Sequence, residues 1–324
     1  MTDATDRTVT LPASIDDVVA VGPGALNLLS YLDAIDMVVG VEENEHSWGR
    51  NNPYNLANPE LQELPVVGPH KGGDPELIAN EEPDVVLATY FTGGTATELQ
   101  EKIDTPVVVI KASSRARHRL EGLYEDLRFA AKIIGKPDRA KTVVEYFEDE
   151  RATLADRTGD VSDDERVGVY YAGRSSSGGG GATSTQHPLA SFSFVNADNV
   201  ADSVEGHADV SREDLLTWDP AVIFVAESNL DQVTEALSEE TYENIRAVEN
   251  DRVYGLLPTR FYGNLYGSTI ANAYYVGSVL YPDRFEDVTP SEKADEIFEF
   301  LVGSGVYGAL AEQYGGFQQV DLTQ

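Results

Sequence analysis

The sequence predicts an α/β fold with parallel sheets in two similar halves, and three observations predict it. Short, wholly apolar runs alternate with helix-period segments, a purely helical stretch interrupts them near the middle, and one helix–strand unit recurs about 137 residues further on. An apolar run of four to six residues bounded by turn residues suits a strand covered on both faces, as in a parallel sheet with helical crossovers.

Taken in order, Thr8–Pro12 reads as a short edge strand. Val18-Val19-Ala20-Val21 is a buried strand, and Gly22-Pro23-Gly24-Ala25 turns it into a helix over Leu26–Leu32. Val38–Val41 is the next strand, and Asp74-Pro75 opens a helix with an N-cap acid and a proline in the first turn. Val85–Ala88 and Val107–Ile110 complete the first α/β region. From Arg115 to Arg157 the period is helical, with a break at Gly135-Lys136-Pro137; strand-like Val167–Tyr171 then starts a second α/β region. The recurring unit is Asp74–Ile78 with Pro83–Ala88, echoed by Ser211–Leu215 with Pro220–Val225. Each copy carries a glutamate near its helix start, and Ser211 with Asp214 fits a capping box. The boundaries read from this pattern are 1–114 for the first lobe, 115–158 for a helical connector and 159–324 for the second lobe.

Composition narrows the function classes. Of 324 residues, 56 are acidic and 23 basic, a net charge of −33 that disfavours nucleic acid and anionic lipid. We read the acid excess as a halophile's way of keeping its surface solvated, because molar salt shortens the Debye length to about 3 Å and removes the self-repulsion. There is no cysteine, so disulfides, thiolate metal sites and a cysteine nucleophile are excluded. No apolar run approaches the roughly 18 residues of a membrane span. The five histidines show no paired ligand spacing, so a site for free divalent metal is not indicated.

The opening segments resemble the substrate-binding proteins of the ABC importers for iron-siderophores, haem and vitamin B12, a class III type of periplasmic binding protein. The resemblance runs through Arg7–Pro12, Val18–Ala25 and Val38–Glu42, is most specific at Asp74–Ala79 with Pro83–Ala88, and returns at Ser211–Trp218 before Pro220. It implies two Rossmann-like lobes with parallel sheets, joined by a long rigid helix, with ligand held at the carboxyl ends of the strands. It further implies a monomer without enzymatic activity or cofactor. Such a protein would work at the outer face of the membrane, periplasmic or lipid-anchored, after an export segment that this sequence does not contain. The implied partners are a small-molecule metal complex and an ABC permease dimer with its ATPase subunits. Glu76 and Glu213 match the family's permease-docking acids, although a glutamate in a first helical turn is also ordinary dipole electrostatics.

Candidate ligand residues lie on loops after the strands. Trp48, Arg50 and Tyr54 combine aromatic faces with a guanidinium, a pairing suited to a planar or anionic chelate. His70 and Lys71 sit in the glycine-rich loop before the Asp74 helix, and Tyr90 follows Ala88. In the second half, Arg174 leads into a hydroxyl- and glycine-rich loop through Thr185, and Arg260 with Tyr262 matches a family ligand loop. Local packing is the competing explanation for each. An iron chelate is the first expectation, with cobalamin or molybdate and tungstate oxyanions as alternatives. A reading of another class is an NAD(P)-dependent oxidoreductase that uses the Gly22-Pro23-Gly24 turn and Glu42, although Asn27 replaces the third glycine and Pro23 removes a donor. No hydrolase elbow or phosphate-binding loop appears, and a receptor using the same clamp without transport is a third class.

Overall fold

A computed structural model describes residues 1–48, 52–111, 120–174 and 180–322. The chain divides into two compact units. Unit 1 comprises Met1–Glu148, Arg260–Leu265 and Phe298–Val306; unit 2 comprises Asp149–Thr259, Tyr266–Ile297 and Tyr307–Gln324.

Unit 1 begins with β1 (Val18–Val21), α1 (Ala25–Tyr31), β2 (Val38–Gly40), α2 (Glu43–Ser47) and α3 (Pro53–Ala57). It continues with α4 (Pro75–Asn80), β3 (Val85–Thr89), α5 (Gly93–Ile103), β4 (Val107–Ile110), α6 (Leu120–Ile134) and the first part of α7 (Pro137–Thr158). Its sheet is wholly parallel in the order β2-β1-β3-β4, with Val18 opposite Val85 and Val86 opposite Val107. Val19, Val21, Val86 and Val109 pack on Ile78, Leu99 and Ile103 from α4 and α5. That covers one face; Val18, Val85, Leu87 and Val108 on the other face are buried as well, which is why these strands are apolar throughout.

Unit 2 holds β5 (Gly168–Ala172), β6 (Ser184–His187), α8 (Ala190–Ser193), β7 (Asp198–Asn199), β8 (Gly206–Asp209) and α9 (Arg212–Trp218). After these come β9 (Val222–Ala226), α10 (Leu230–Leu237), α11 (Arg246–Glu249), β10 (Val253–Leu256), α12 (Tyr266–Leu280), most of α13 (Pro290–Val302) and α14 (Tyr307–Tyr314). Its main sheet, β10-β9-β5-β7, is also parallel, and β6 pairs antiparallel with β8.

The two main sheets have one topology, with β1, β2, β3 and β4 corresponding to β5, β7, β9 and β10. The correspondence is also metric: Pro75 and Arg212 start the paired helices, Val85 and Val222 the paired strands, and both steps are 137 residues. Both helices are capped as their sequences predict. Asp74 accepts from Glu76 N–H and Leu77 N–H, and Ser211 with Asp214 closes a capping box. Such a cap stabilises a helix by about 1 kcal/mol.

Several sequence expectations change. Thr8–Pro12 is no strand: Thr8 makes only an isolated bridge to Thr2, and the N-terminal turn is organised by Asp3, which accepts from Thr5 N–H, Arg7 N–H and Val109 N–H. Ala4 N–H donates to Val109 O, so this turn covers the outer edge of β4. Ser184 and Thr185, read as flexible loop, are buried in β6. The sequence boundaries at 114 and 158 also meet a different division, which falls inside α7 after Glu148. Residues 298–306 return to unit 1, where the Phe300 ring stacks on Tyr146 and lies under the Arg139 guanidinium.

Candidate functional site

In an open parallel sheet the crevice lies where adjacent strands send their connections to opposite sides, at the carboxyl ends. In unit 1 that place is between β1 and β3, flanked by Gly22 and Tyr90. Gly22 has φ 91°, and a Cβ there would stand 2.5 Å from Thr89 O, so the turn packs directly on β3.

Glu42, just past β2, organises this edge. Its carboxylate is 2 % exposed and accepts three hydrogen bonds: from Gly22 N–H at 2.8 Å, Gly72 N–H at 2.8 Å and the Tyr262 hydroxyl at 2.7 Å. The Tyr262 hydroxyl in turn accepts from Lys71 N–H at 2.7 Å. Burial pushes the Glu42 carboxyl above its ordinary range, while the Tyr262, Gly22 and Gly72 hydrogen bonds and the His70 charge pull it down. Burial likewise drives the Tyr262 phenol far up, helped by the Glu42 charge, so it remains a donor at any working pH.

Around this carboxylate stands an aromatic wall. The Trp48 ring lies 5.3 Å from His70, 6.0 Å edge-on to Phe261 and 6.2 Å from Tyr262. Trp48 is 39 % exposed and Tyr90 43 %, two of the few large apolar side chains that reach solvent. The Lys71 and Arg260 side chains are exposed and have no carboxylate partner among the described residues. Lys71, Tyr90 and Tyr262 all have left-handed backbone, with φ of 68°, 61° and 42°. Non-glycine residues held there cost about 1–3 kcal/mol each, and such strain gathers where geometry serves function.

A second carboxylate lies behind the wall. Glu45 is 3 % exposed and accepts from the Tyr54 hydroxyl at 3.0 Å, Asn55 Nδ2 at 2.5 Å and Asn44 Nδ2 at 3.1 Å. Burial raises its pKa to about 7 against those hydrogen bonds. Tyr54 is fully buried on this carboxylate, so it supports the wall from the rear and does not line it.

Residues 260–265 lie in unit 1, whereas the sequence reading placed Arg260 and Tyr262 in the second lobe. The reason is a backbone-to-backbone approach. A Cβ on Gly263 would meet Gly24 Cα at 2.8 Å and Gly24 N at 2.9 Å, and Asn27 Nδ2 donates to Asn264 O at 3.1 Å. The same approach removes the dinucleotide reading. Gly263 occupies the face of the Gly22-Pro23-Gly24 turn that a pyrophosphate would need, and Glu42 spends its oxygens on protein donors instead of ribose.

In unit 2 the equivalent crevice lies between β5 and β9. Arg174 follows β5 and donates from Nε to Gln186 Oε1 at 3.4 Å. A pocket of about 450 Å³ beside the end of β9 is lined by Glu227, Asn229, Asp231, Gln232 and Tyr314; its two acids disfavour an anion there. Glu76 and Glu213 occupy matching exposed positions on α4 and α9. Arg50 lies outside the described residues.

Trp48, His70, Lys71, Arg260 and Tyr262 thus come together in unit 1, and Tyr90 stands at the same edge. The sequence reading missed the organising roles of Glu42 and Glu45 and the ring of Phe261. An acid placed directly after an apolar strand was the one available signal for Glu42.

The periplasmic binding protein family model matches residues 18–259. The chain is similar to the molybdate-binding protein MolA of Haemophilus influenzae, with 29 % identity over 320 residues, 92 % of this chain and 89 % of that protein. It is also similar to the cobalamin-binding protein of Halobacterium salinarum, with 24 % identity over 247 residues, 72 % of this chain but only 61 % of that protein. Among solved structures, molybdate-bound MolA of Haemophilus influenzae aligns with a TM-score of 0.72 and 26 % identity, covering 94 % of this chain and 98 % of that one.

Proposed function

The chain belongs to the periplasmic binding protein family, and from that premise we propose that it delivers a molybdate-type oxyanion to an ABC importer. Its class is that of an extracytoplasmic solute-binding protein; the relatives it matches are binding proteins, not enzymes. The observation that carries the oxyanion reading is the likeness to a molybdate-binding protein over 92 % of the chain. The iron chelate first expected from the sequence gives way on that ground to one of its stated alternatives.

The local chemistry supports the reading. In a chain with a net charge of −33, Lys71 and Arg260 are cations on the same edge of unit 1 with no carboxylate partner among the described residues. Charge-assisted hydrogen bonds from such groups are the strong contacts available to an oxyanion, and they survive salt better than long-range steering does. Glu76 and Glu213, repeat-related and exposed, are the acids we assign to the two permease subunits. A second reading rests on the exposed Trp48 and Tyr90: aromatic surface of that kind suits a larger metal complex such as cobalamin or a ferric siderophore.

The test is calorimetric titration in high salt with molybdate, tungstate, sulfate, cobalamin and a ferric siderophore. Saturable binding of molybdate and tungstate but not sulfate is expected. Cobalamin or siderophore binding without molybdate binding would replace the oxyanion reading with the second one.

A further inference from the structure

We propose that Glu42 is the positioning residue of the ligand wall: its carboxylate holds the turn after β1, the loop before α4 and residues 260–265 in one arrangement. This rests on reading the carboxyl edge of unit 1 as the ligand side.

The geometry is specific. The three donors on Glu42 come from three separate segments, lying 20, 30 and 220 residues from it along the chain. Each donor fixes something a ligand would meet. Gly22 sets the turn at the head of the crevice, Gly72 sets the loop that carries His70 and Lys71, and Tyr262 sets the segment that carries Arg260 and Phe261. Lys71 N–H on the Tyr262 hydroxyl ties the last two segments to one another as well. Only an ionised carboxylate accepts from three donors while offering none of its own; a side-chain amide has one acceptor oxygen and would turn its NH₂ toward an N–H or O–H.

The charge is also retained at a cost. Glu42 has no lysine or arginine partner among the described residues. The titratable groups facing it are His70, which favours ionisation of Glu42 only when protonated, and Glu45 on α2, whose charge opposes it. Burial outweighs the hydrogen bonds, so the ionised form is disfavoured relative to water. A residue kept only for stability would do better without that charge, and charge held against stability marks a functional placement.

The test is Glu42→Gln, read three ways at pH 8 in high salt. Hydrogen exchange on ligand-free protein should show roughly tenfold faster exchange of the amides at Gly22 and Gly72 and through 260–265. Molybdate affinity should fall roughly tenfold. The melting temperature should change little, because relief of the buried charge and loss of its hydrogen bonds act in opposite directions. Tyr262→Phe removes one donor of the three together with the acceptor for Lys71 N–H; it should give a smaller effect, and combined with Glu42→Gln should add less than it costs alone, because the bond to Glu42 is then already lost. Wild-type exchange in Glu42→Gln overturns the proposal, and so does a fall in melting temperature parallel to the loss of affinity, which is the mark of an ordinary structural residue. If the wild-type protein does not bind molybdate, the oxyanion reading fails by itself, and the exchange and melting measurements still decide the role of Glu42.

Discussion

Replacing Glu45 by glutamine should stabilise unit 1 at pH 8 and leave it nearly unchanged at pH 5. The Glu45 carboxyl is buried among neutral donors, Tyr54, Asn55 and Asn44, with no lysine or arginine partner among the described residues. Burial, joined by the repulsion of Glu42, lifts its pKa from 4.5 to about 7. Because the folded value lies above the unfolded one, the contribution of this group is intact below pH 4.5 and is lost as pH rises through about 7. At about 1.4 kcal/mol per pKa unit, that gap corresponds to roughly 3 kcal/mol. Glutamine does not titrate, and its new NH₂ has an acceptor at hand: Asn44 Oδ1 is buried without a hydrogen-bond partner among the described residues, so turning over the Asn44 amide supplies one. The assay is urea unfolding of both proteins from pH 5 to pH 8 at constant high salt, with Trp218→Phe in each so that Trp48 reports unit 1. Carboxylates that do not interact with Glu45 are common to both proteins and cancel in the difference; Glu42, which repels it, is coupled and its relief is part of the effect. The advantage of Glu45→Gln should grow from near zero to about 2–3 kcal/mol. A difference that stays constant with pH, or one that favours the wild type at pH 8, would refute the argument that Glu45 is buried without compensation.

Gly263→Ala should detach residues 260–265 from the Gly22-Pro23-Gly24 turn, because its Cβ meets backbone atoms of Gly24 at 2.8 and 2.9 Å and φ is 129°. A stability loss of about 2 kcal/mol or more is expected from thermal unfolding, together with weaker ligand binding. Arg260→Ala should weaken oxyanion binding by about 1.5–3 kcal/mol in calorimetry, with an unchanged melting temperature, since this guanidinium has no protein partner among the described residues to lose. Reversing Glu76 and Glu213 together to arginine should abolish stimulation of the permease-bound ATPase while ligand affinity stays as in the wild type; normal stimulation would remove both residues from the docking surface.

Much of the fold was legible because burial on both faces leaves a continuous apolar signature. β1, β3 and β4 stand where their valine runs lie, and the 137-residue echo proved to be a shared topology. Caps were legible for the same local reason: Asp74 and Ser211 act within three residues of themselves. Thr8–Pro12 failed as a strand because strand formation needs a neighbour, and the Asp3 turn bonds to β4 first. The candidate site was legible as residue types in loops, not as an assembly. Trp48, His70, Lys71 and Arg260 could be named, but Tyr54 reads like them and is buried behind them.

By itself, the sequence determined the parallel α/β character, the repeated unit and the cationic and aromatic loops, since each follows from hydrophobic period or composition within a short window. Only the tertiary structure decided that residues 260–265 belong with unit 1, that Glu42 gathers donors from three segments, and that Glu45 has no cation beside it among the described residues. Those outcomes depend on which distant segments exclude water from one another, and hydrogen bonds made 220 residues apart leave no mark in the local pattern of either partner.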